Sequence, residues 1–232
     1  NLLTPLSLKV RLARIRYEDI KMTQQPALTR YAFFIEDGSD AAKRLDLKRD
    51  KQAGLDYTQF EKKSFAKTVL FAFMIGHGDW RIDEIGRPYN SKAYRGVNNE
   101  LFLVLYDFDR TEIMGDGRSP FLGLRAGVPG YTRIPPGIPS EYFGISPDDL
   151  ERLRIEEMKV KEKLFCLTDE EIRELIAHFV SFKGKALGLF ANDPILKTKL
   201  KNHSLSVLTD FFTLLEHPKE ELPFLKSTCA SH

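Results

Sequence analysis

The chain has little cysteine: Cys166 and Cys229 are its two, and neither has Cys or His neighbours at the spacing of a zinc site. So sparse a pair neither requires nor excludes a disulfide. No run of about 18 apolar residues occurs, so no segment reads as a transmembrane helix. No secretory leader pattern follows Asn1. A dominant charge is missing too, with 35 Lys and Arg against 33 Asp and Glu, a formal +2. That balance, without a long basic run, argues against a nucleic-acid partner. Internal repeats and low-complexity stretches are absent. Apolar residues, in contrast, make up 42% of the 232 residues, with 17 Phe and 8 Tyr. That is enough for a sizeable core in one large domain or two small lobes, and it excludes wholesale disorder.

Residues 6 to 17 alternate apolar and basic (Leu6, Leu8, Val10 and Leu12, with Lys9 and Arg11 between), the period of a half-buried strand. A polar connection leads to a second strand, Arg30–Ile35, so the two form a hairpin with a long loop. Glu36-Asp37-Gly38 ends that strand, and a short helix follows. Residues 58 to 75 read as a helix with Thr58 and Glu61 as its capping box. Its last turns are apolar on nearly every face, so it delivers Gly76-His77-Gly78-Asp79-Trp80 into the interior. Residues 81 to 99 read as loop. Leu101–Tyr106 is a continuous apolar run, the pattern of a strand covered on both sides, and it ends at Asp107-Phe108-Asp109. Residues 115 to 145 hold much of the Gly and Pro and read as surface loop. Three helices are expected in the tail. One opens at Ser146-Pro147-Asp148-Asp149. The second opens at Thr168 with a capping box to Glu171 and a Leu167–Ile172 staple. The third opens at Asp193-Pro194 and carries Leu200, Leu208, Phe211 and Leu215. Strands first and helices last is an α+β arrangement.

Two acidic motifs carry the chemistry. Glycines on both sides of His77 permit unusual backbone angles and close approach of a ligand, and Asp79 is placed to accept a proton or hold a metal. The plainer reading is a helix C-cap followed by a turn. Asp107 and Asp109, two residues apart at a strand end, are expected to point to one side. Two like charges so close need a cation or a shared proton, and a divalent metal bound through oxygens meets that need. The plainer reading is an acidic turn. Together, the two motifs are read as one acidic metal-binding site.

The order helix, loop with Asp, polar segment, buried strand and Asp-Phe-X resembles the C-lobe of a protein kinase. His77-Gly78-Asp79 resembles the catalytic loop, whose Asp takes the proton of the attacking hydroxyl, with His77 positioning the loop. Asp107-Phe108-Asp109 resembles the metal-binding motif that bridges to phosphates through magnesium. The His-Gly-Asp form is also similar to the aminoglycoside-phosphotransferase branch. The pattern Gly76, Asp79, Trp80 and Tyr106 to Asp109 resembles atypical bacterial kinase-like proteins of the spore-coat CotH type. Phe34-Ile35-Glu36-Asp37 and Ala42-Lys43-Arg44 match the segment before the site. The resemblance covers roughly residues 6 to 115. It implies a kinase-like fold, with residues 1–37 an N-lobe-like β-hairpin and hinge and residues 38–232 a helical C-lobe. It implies an ATP-dependent phosphotransferase using Mg²⁺ or Mn²⁺, acting on a protein or small-molecule acceptor. Asp79 and His77 would be catalytic, Asp107, Asp109 and Asn90 metal-binding, and Glu36, Asp37 and Arg81 nucleotide-binding, the hinge backbone contacting adenine. An envelope or secreted bacterial setting is implied as well.

The sequence departs from that pattern at three points. Glu84 stands where a kinase has its metal-binding Asn, leaving Asn90 as the nearest candidate. Asp109 stands where kinases have Gly. No Gly-rich loop and no Val-Ala-X-Lys strand precedes the hairpin; since Asn1 is not a natural start, those parts are expected upstream, the alternative being that the protein lacks them and is not a phosphotransferase. Two rival readings use the same residues. Asp107, Asp109 and Thr111 fit the first motif of a haloacid-dehalogenase-type phosphatase, although that family needs alternating strands and helices afterwards. A catalytically inactive kinase-like binding module is the other. His178, His203 and His217 are expected in packing or surface roles, and Trp80 and the Phe residues of the tail in the core. Arg81 and Arg110 either clamp phosphate or neutralise the adjacent acids.

Overall fold

The computed structural model describes residues 3–19, 27–77, 80–82, 85–109, 111–115 and 167–216. The fold is α+β, and it is built around a small antiparallel sheet covered on both faces. The helix expected at Ser146 lies outside the described residues, as does His217.

Strands β1 (Val10–Tyr17) and β2 (Leu28–Ile35) form the expected hairpin, with Val10 opposite Ile35 and Tyr17 opposite Leu28. The expectation of a half-buried hairpin is corrected. Val10, Leu12, Tyr31, Phe33 and Phe34 all stand largely exposed, because neither face of the ribbon joins a core cluster of the described residues.

At the root of the hairpin the chain turns into α1 (Gly38–Leu45), whose N-cap Asp37 accepts a hydrogen bond from Ser39 N–H at 2.7 Å. Asp46, in the left-handed conformation, ends the helix and leads to β3 (Lys48–Asp50). The strong helix of the first half is α2 (Lys62–Ile75), and its start corrects the expected one. Glu61, not Thr58, is the N-cap, accepting from Lys63 and Ser64 N–H. Residues Tyr57–Gln59 form a separate 3₁₀ turn with its own capping box, Asp56 to Gln59. The more N-terminal acid captures the first box, and the chain needs a bend between the two turns to bring Phe60 beside Leu101.

Residues 81 to 99 are not loop throughout. They hold β4 (Arg81–Ile82), β5 (Pro88–Tyr89) and β6 (Ser91–Arg95), and β6 pairs with β7 (Leu101–Leu105) and with β3. In the sheet β3-β6-β7, Ala93, Leu101, Leu103 and Leu105 face the core built by α2, while Tyr94 and Val104 face α1. The charged ends of Lys92 and Arg95 hid this strand. Lys92 reaches past the edge of the small core, and Arg95 is neutralised by Asp50 at 2.6 Å, a carboxylate only 3% exposed.

The helical tail closes the core. α3 (Asp169–Ser181) opens with the expected capping box between Thr168 and Glu171, and Leu167 and Ile172 both join the main core. α4 (Lys183–Ala191) follows at Phe182. The third tail helix corrects another expectation: α5 (Thr198–Leu214) begins after Lys197, while Asp193 caps a turn by accepting from Ile195 and Leu196 N–H. Leu208, Phe211, Phe212 and Leu215 are buried as expected. Phe211 meets Phe73 of α2 at 6.2 Å and Phe179 of α3 at 5.9 Å. The two described tail histidines are packing residues: His178 bonds the Leu3 carbonyl and His203 the Glu112 carbonyl. Among the described residues no helix is long and apolar enough to cross a membrane.

Candidate functional site

Helix α2 ends in a double hydrogen-bonded cap. Gly76, at φ 65°, donates to the Phe73 carbonyl, and His77 N–H donates to the Ala72 carbonyl at 2.8 Å. A glycine is required here for two reasons. The left-handed angle disfavours a side chain, and a Cβ would lie 2.3 Å from Glu112 Cβ. The cap turns His77 inward, where it is fully buried. Trp80 is buried too, edge-on to Phe65 at 6.2 Å. Asp79, with Gly78, lies outside the described residues. Arg81 contributes its backbone to the β4–β5 pair opposite Tyr89.

The second motif arrives from β7. That strand stops at Leu105, so the expectation that Asp107 and Asp109 share one side of a strand is corrected. Both lie beyond the strand, exposed, with Asp107 at φ 64°. The ladder runs one rung past the strand, with Tyr106 N–H donating to the Asn90 carbonyl at 3.1 Å, and Asn90 is itself left-handed at φ 48°. Four described non-glycine residues have positive φ. Asp46 ends α1 and Asn99 sits in the β6–β7 turn, both ordinary places for such angles. Asn90, in the turn between β5 and β6, and Asp107, just past β7, make the other two, and both lie at the same end of the β6–β7 pair. Three candidates named from the sequence are thereby gathered: Asn90 lies beside the turn that carries Asp107 and Asp109.

Phe108, between the two acids, joins the motifs. Its ring stands edge-on to His77 at 5.3 Å and to Phe71 of α2 at 5.8 Å. Glu112 N–H closes the other side by donating to the Gly76 carbonyl at 3.2 Å. Thr111 is buried and ties its hydroxyl to the Phe108 carbonyl at 2.8 Å, so in this structure it fixes the turn. Two exposed carboxylates and one adjacent amide residue match the modest protein ligand set of magnesium, which keeps waters and takes substrate phosphates. Among the described residues no three His, Cys, Asp or Glu side chains converge on one point.

Glu36 and Asp37 stand at the root of the hairpin, with their side chains engaged in structural bonds. Glu36 receives both Nε and Nη2 of Arg44, at 2.8 and 2.7 Å, and Lys9 N–H at 2.9 Å. The Arg44 bonds foremost, and the Lys9 amide after them, hold its carboxyl down to about 2. Asp37, as the α1 cap, is lowered by Ser39 and Gly38 N–H. Arg44 of the Ala42-Lys43-Arg44 element therefore clamps the root of the hairpin.

Sequence reasoning passed over Lys92. Its ammonium lies 4.5 Å from the centroid of the Tyr106 ring, one residue before Asp107. The available signal was its even spacing with Tyr94 in a short alternating stretch. Comparison of the chain with family models, with curated proteins and with solved structures finds no match.

Proposed function

We propose that the chain is a kinase-like phosphotransferase that uses ATP with Mg²⁺ or Mn²⁺ and acts on a hydroxyl of a protein or small molecule. The observation that carries this reading is the closure of the two motifs on each other. Phe108 packs on His77, Glu112 bonds Gly76, and Asn90 bonds Tyr106, so the Gly76–His77 turn and the Asp107–Asp109 turn form one locus. The antiparallel pairing of β7 favours this reading over a phosphatase that requires alternating strands and helices.

In this reading Asp107 and Asp109 hold the metal, with Asn90 beside them, and their exposure leaves room for a nucleotide's phosphates. The metal, when bound, neutralises charge on the phosphates. Asp79 accepts the proton of the attacking hydroxyl, and His77, fixed by the Schellman turn and by Phe108, sets where the Asp79 loop departs. The Glu36–Arg44 clamp holds the hinge at which adenine would meet the backbone.

Thermal unfolding tests the reading. Magnesium and ATP together are expected to raise the midpoint, and Asp107→Ala to abolish the rise. Asp79→Ala is expected to keep the rise and lose turnover. If both variants bind metal and nucleotide as the parent chain does, the site assignment is wrong. Metal-dependent nucleotide binding without turnover in the parent chain would instead establish the inactive binding module, which the Glu84 substitution favours.

A further inference from the structure

The sheet face that α1 covers carries three polar side chains. Tyr94 lies directly opposite Arg49 in the β3–β6 pairing, and Lys92 precedes Tyr94 by two residues on the same face. All three converge on Gly38, the first residue of α1. A Cβ on Gly38 would stand 3.4 Å from Tyr94 Oη, 3.4 Å from Lys92 Cδ and 3.5 Å from Arg49 Cδ. Tyr94 is completely buried, and its hydroxyl has no hydrogen-bond partner among the described residues. Such a group is normally satisfied, and where it is not, a ligand or water is the usual explanation.

The charges around that hydroxyl are unbalanced. Of the nearby cations, Arg44 is held by Glu36 and Arg95 by Asp50. Lys92 and Arg49 form no ion pair among the described residues. Burial holds the Lys92 ammonium below its ordinary pKa, and the charge of Arg49 adds to that, opposed by Asp37. Asp37, a carboxylate that acts on Lys92, is committed to Ser39 N–H. The same burial keeps Tyr94 protonated at neutral pH, as an O–H donor.

We propose that Lys92, Arg49 and the Tyr94 hydroxyl form a binding site for a phosphate-class oxyanion, between the start of α1 and the Tyr106 corner. An ammonium, a guanidinium fork and a hydroxyl, carried by three residues that meet at Gly38, can together serve the oxygens of a tetrahedral anion. The stems of Lys92 and Arg49 roof the hydroxyl, and the ligand enters as these flexible side chains swing outward. Lys92 rests over the Tyr106 ring in the meantime. Asp107 and Asp109 contribute no donor to it, so its metal-free phosphate response is separable from the metal-dependent response of the phosphotransfer reading.

Inorganic phosphate is the probe, added to the 232-residue chain without metal, against chloride at equal ionic strength. The thermal midpoint is expected to rise with phosphate only. Tyr94→Phe, which deletes the orphan hydroxyl and little else, is expected to raise the ligand-free midpoint and to remove most of the phosphate response. Lys92→Gln and Arg49→Gln are each expected to weaken phosphate by about tenfold. Asp107→Ala is expected to retain the full response. The proposal is overturned by a parent chain that responds to phosphate no more than to chloride, by a Tyr94→Phe variant less stable without ligand, by a Lys92→Gln variant that binds phosphate normally, or by loss of the response in Asp107→Ala. Competition without metal identifies the source. Displacement by ATP assigns the site to a nucleotide, displacement by O-phosphoserine alone assigns it to a phosphomonoester, and displacement by neither overturns the phosphate assignment.

Discussion

Replacing Gly76 by alanine tests whether the two motifs are held together at the end of α2. Two penalties apply. Holding alanine at φ 65° costs about 1–2 kcal/mol. The new methyl would then sit 2.3 Å from Glu112 Cβ and 3.2 Å from Glu112 N, so the backbone of residues 111–113 must move. Overpacking of that kind costs about 1–3 kcal/mol, and the Glu112–Gly76 hydrogen bond is put at risk with it. The expected total is about 3–5 kcal/mol. Gly54 supplies the control within the same chain: its φ is 84°, yet nothing lies within 4 Å of its would-be Cβ. Gly54→Ala should therefore bear only the backbone part, about 1–2 kcal/mol. Equilibrium urea unfolding reads both. Gly76→Ala should fall below Gly54→Ala by about 1 M in midpoint with an unchanged slope. Midpoints that coincide would mean that Glu112 yields freely and that the packing between the motifs is soft, which would remove the basis for treating them as one locus.

Two further outcomes follow from the hinge and the tail. The Glu36 carboxyl is lowered from 4.5 to about 2, so its stabilising bond to Arg44 is fully present above pH 4.5 and is lost as pH falls through 2. Glu36→Gln should lower stability at neutral pH by about 1–3 kcal/mol and flatten the acid limb of an unfolding titration between those values; an unchanged acid limb would place the titration elsewhere. Thr168→Ala removes the capping-box acceptor of α3 and should cost about 1 kcal/mol by the same urea assay, with Thr168→Ser close to the parent chain.

The sequence was most informative where the signal is local. The α3 capping box, the apolar end of α2, the burial of Trp80 and the continuous run of β7 all depend on residues within a few positions of one another, and each is found where it was expected. Strand β3 was missed because its place in the sheet depends on partners more than forty positions away, as Asp50 does on Arg95, whose ion pair makes buried charge tolerable, and β6 because Lys92 and Arg95 interrupt its apolar pattern. The site was legible as a pair of motifs. Its geometry was not, since β7 ends at Leu105 and Asp107 takes a left-handed angle that nothing within Asp107-Phe108-Asp109 encodes. The contact of Phe108 with His77 also spans thirty-one positions and becomes visible only once α2 and β7 are packed together.

The β1–β2 hairpin has a consequence for how the molecule comes apart. A two-stranded ribbon is marginal by itself, and among the described residues each strand finds its ladder partner in the other alone. The amides of Val10–Tyr17 and Leu28–Ile35 then exchange with solvent through local opening, independently of the slow, global exchange of α2 and β7. The Glu36–Arg44 clamp marks the border between these two cooperative units. Because Leu12, Phe33 and Phe34 stand exposed on this ribbon, the described part expected to open first also carries exposed apolar surface, and association through it is expected before association through the core.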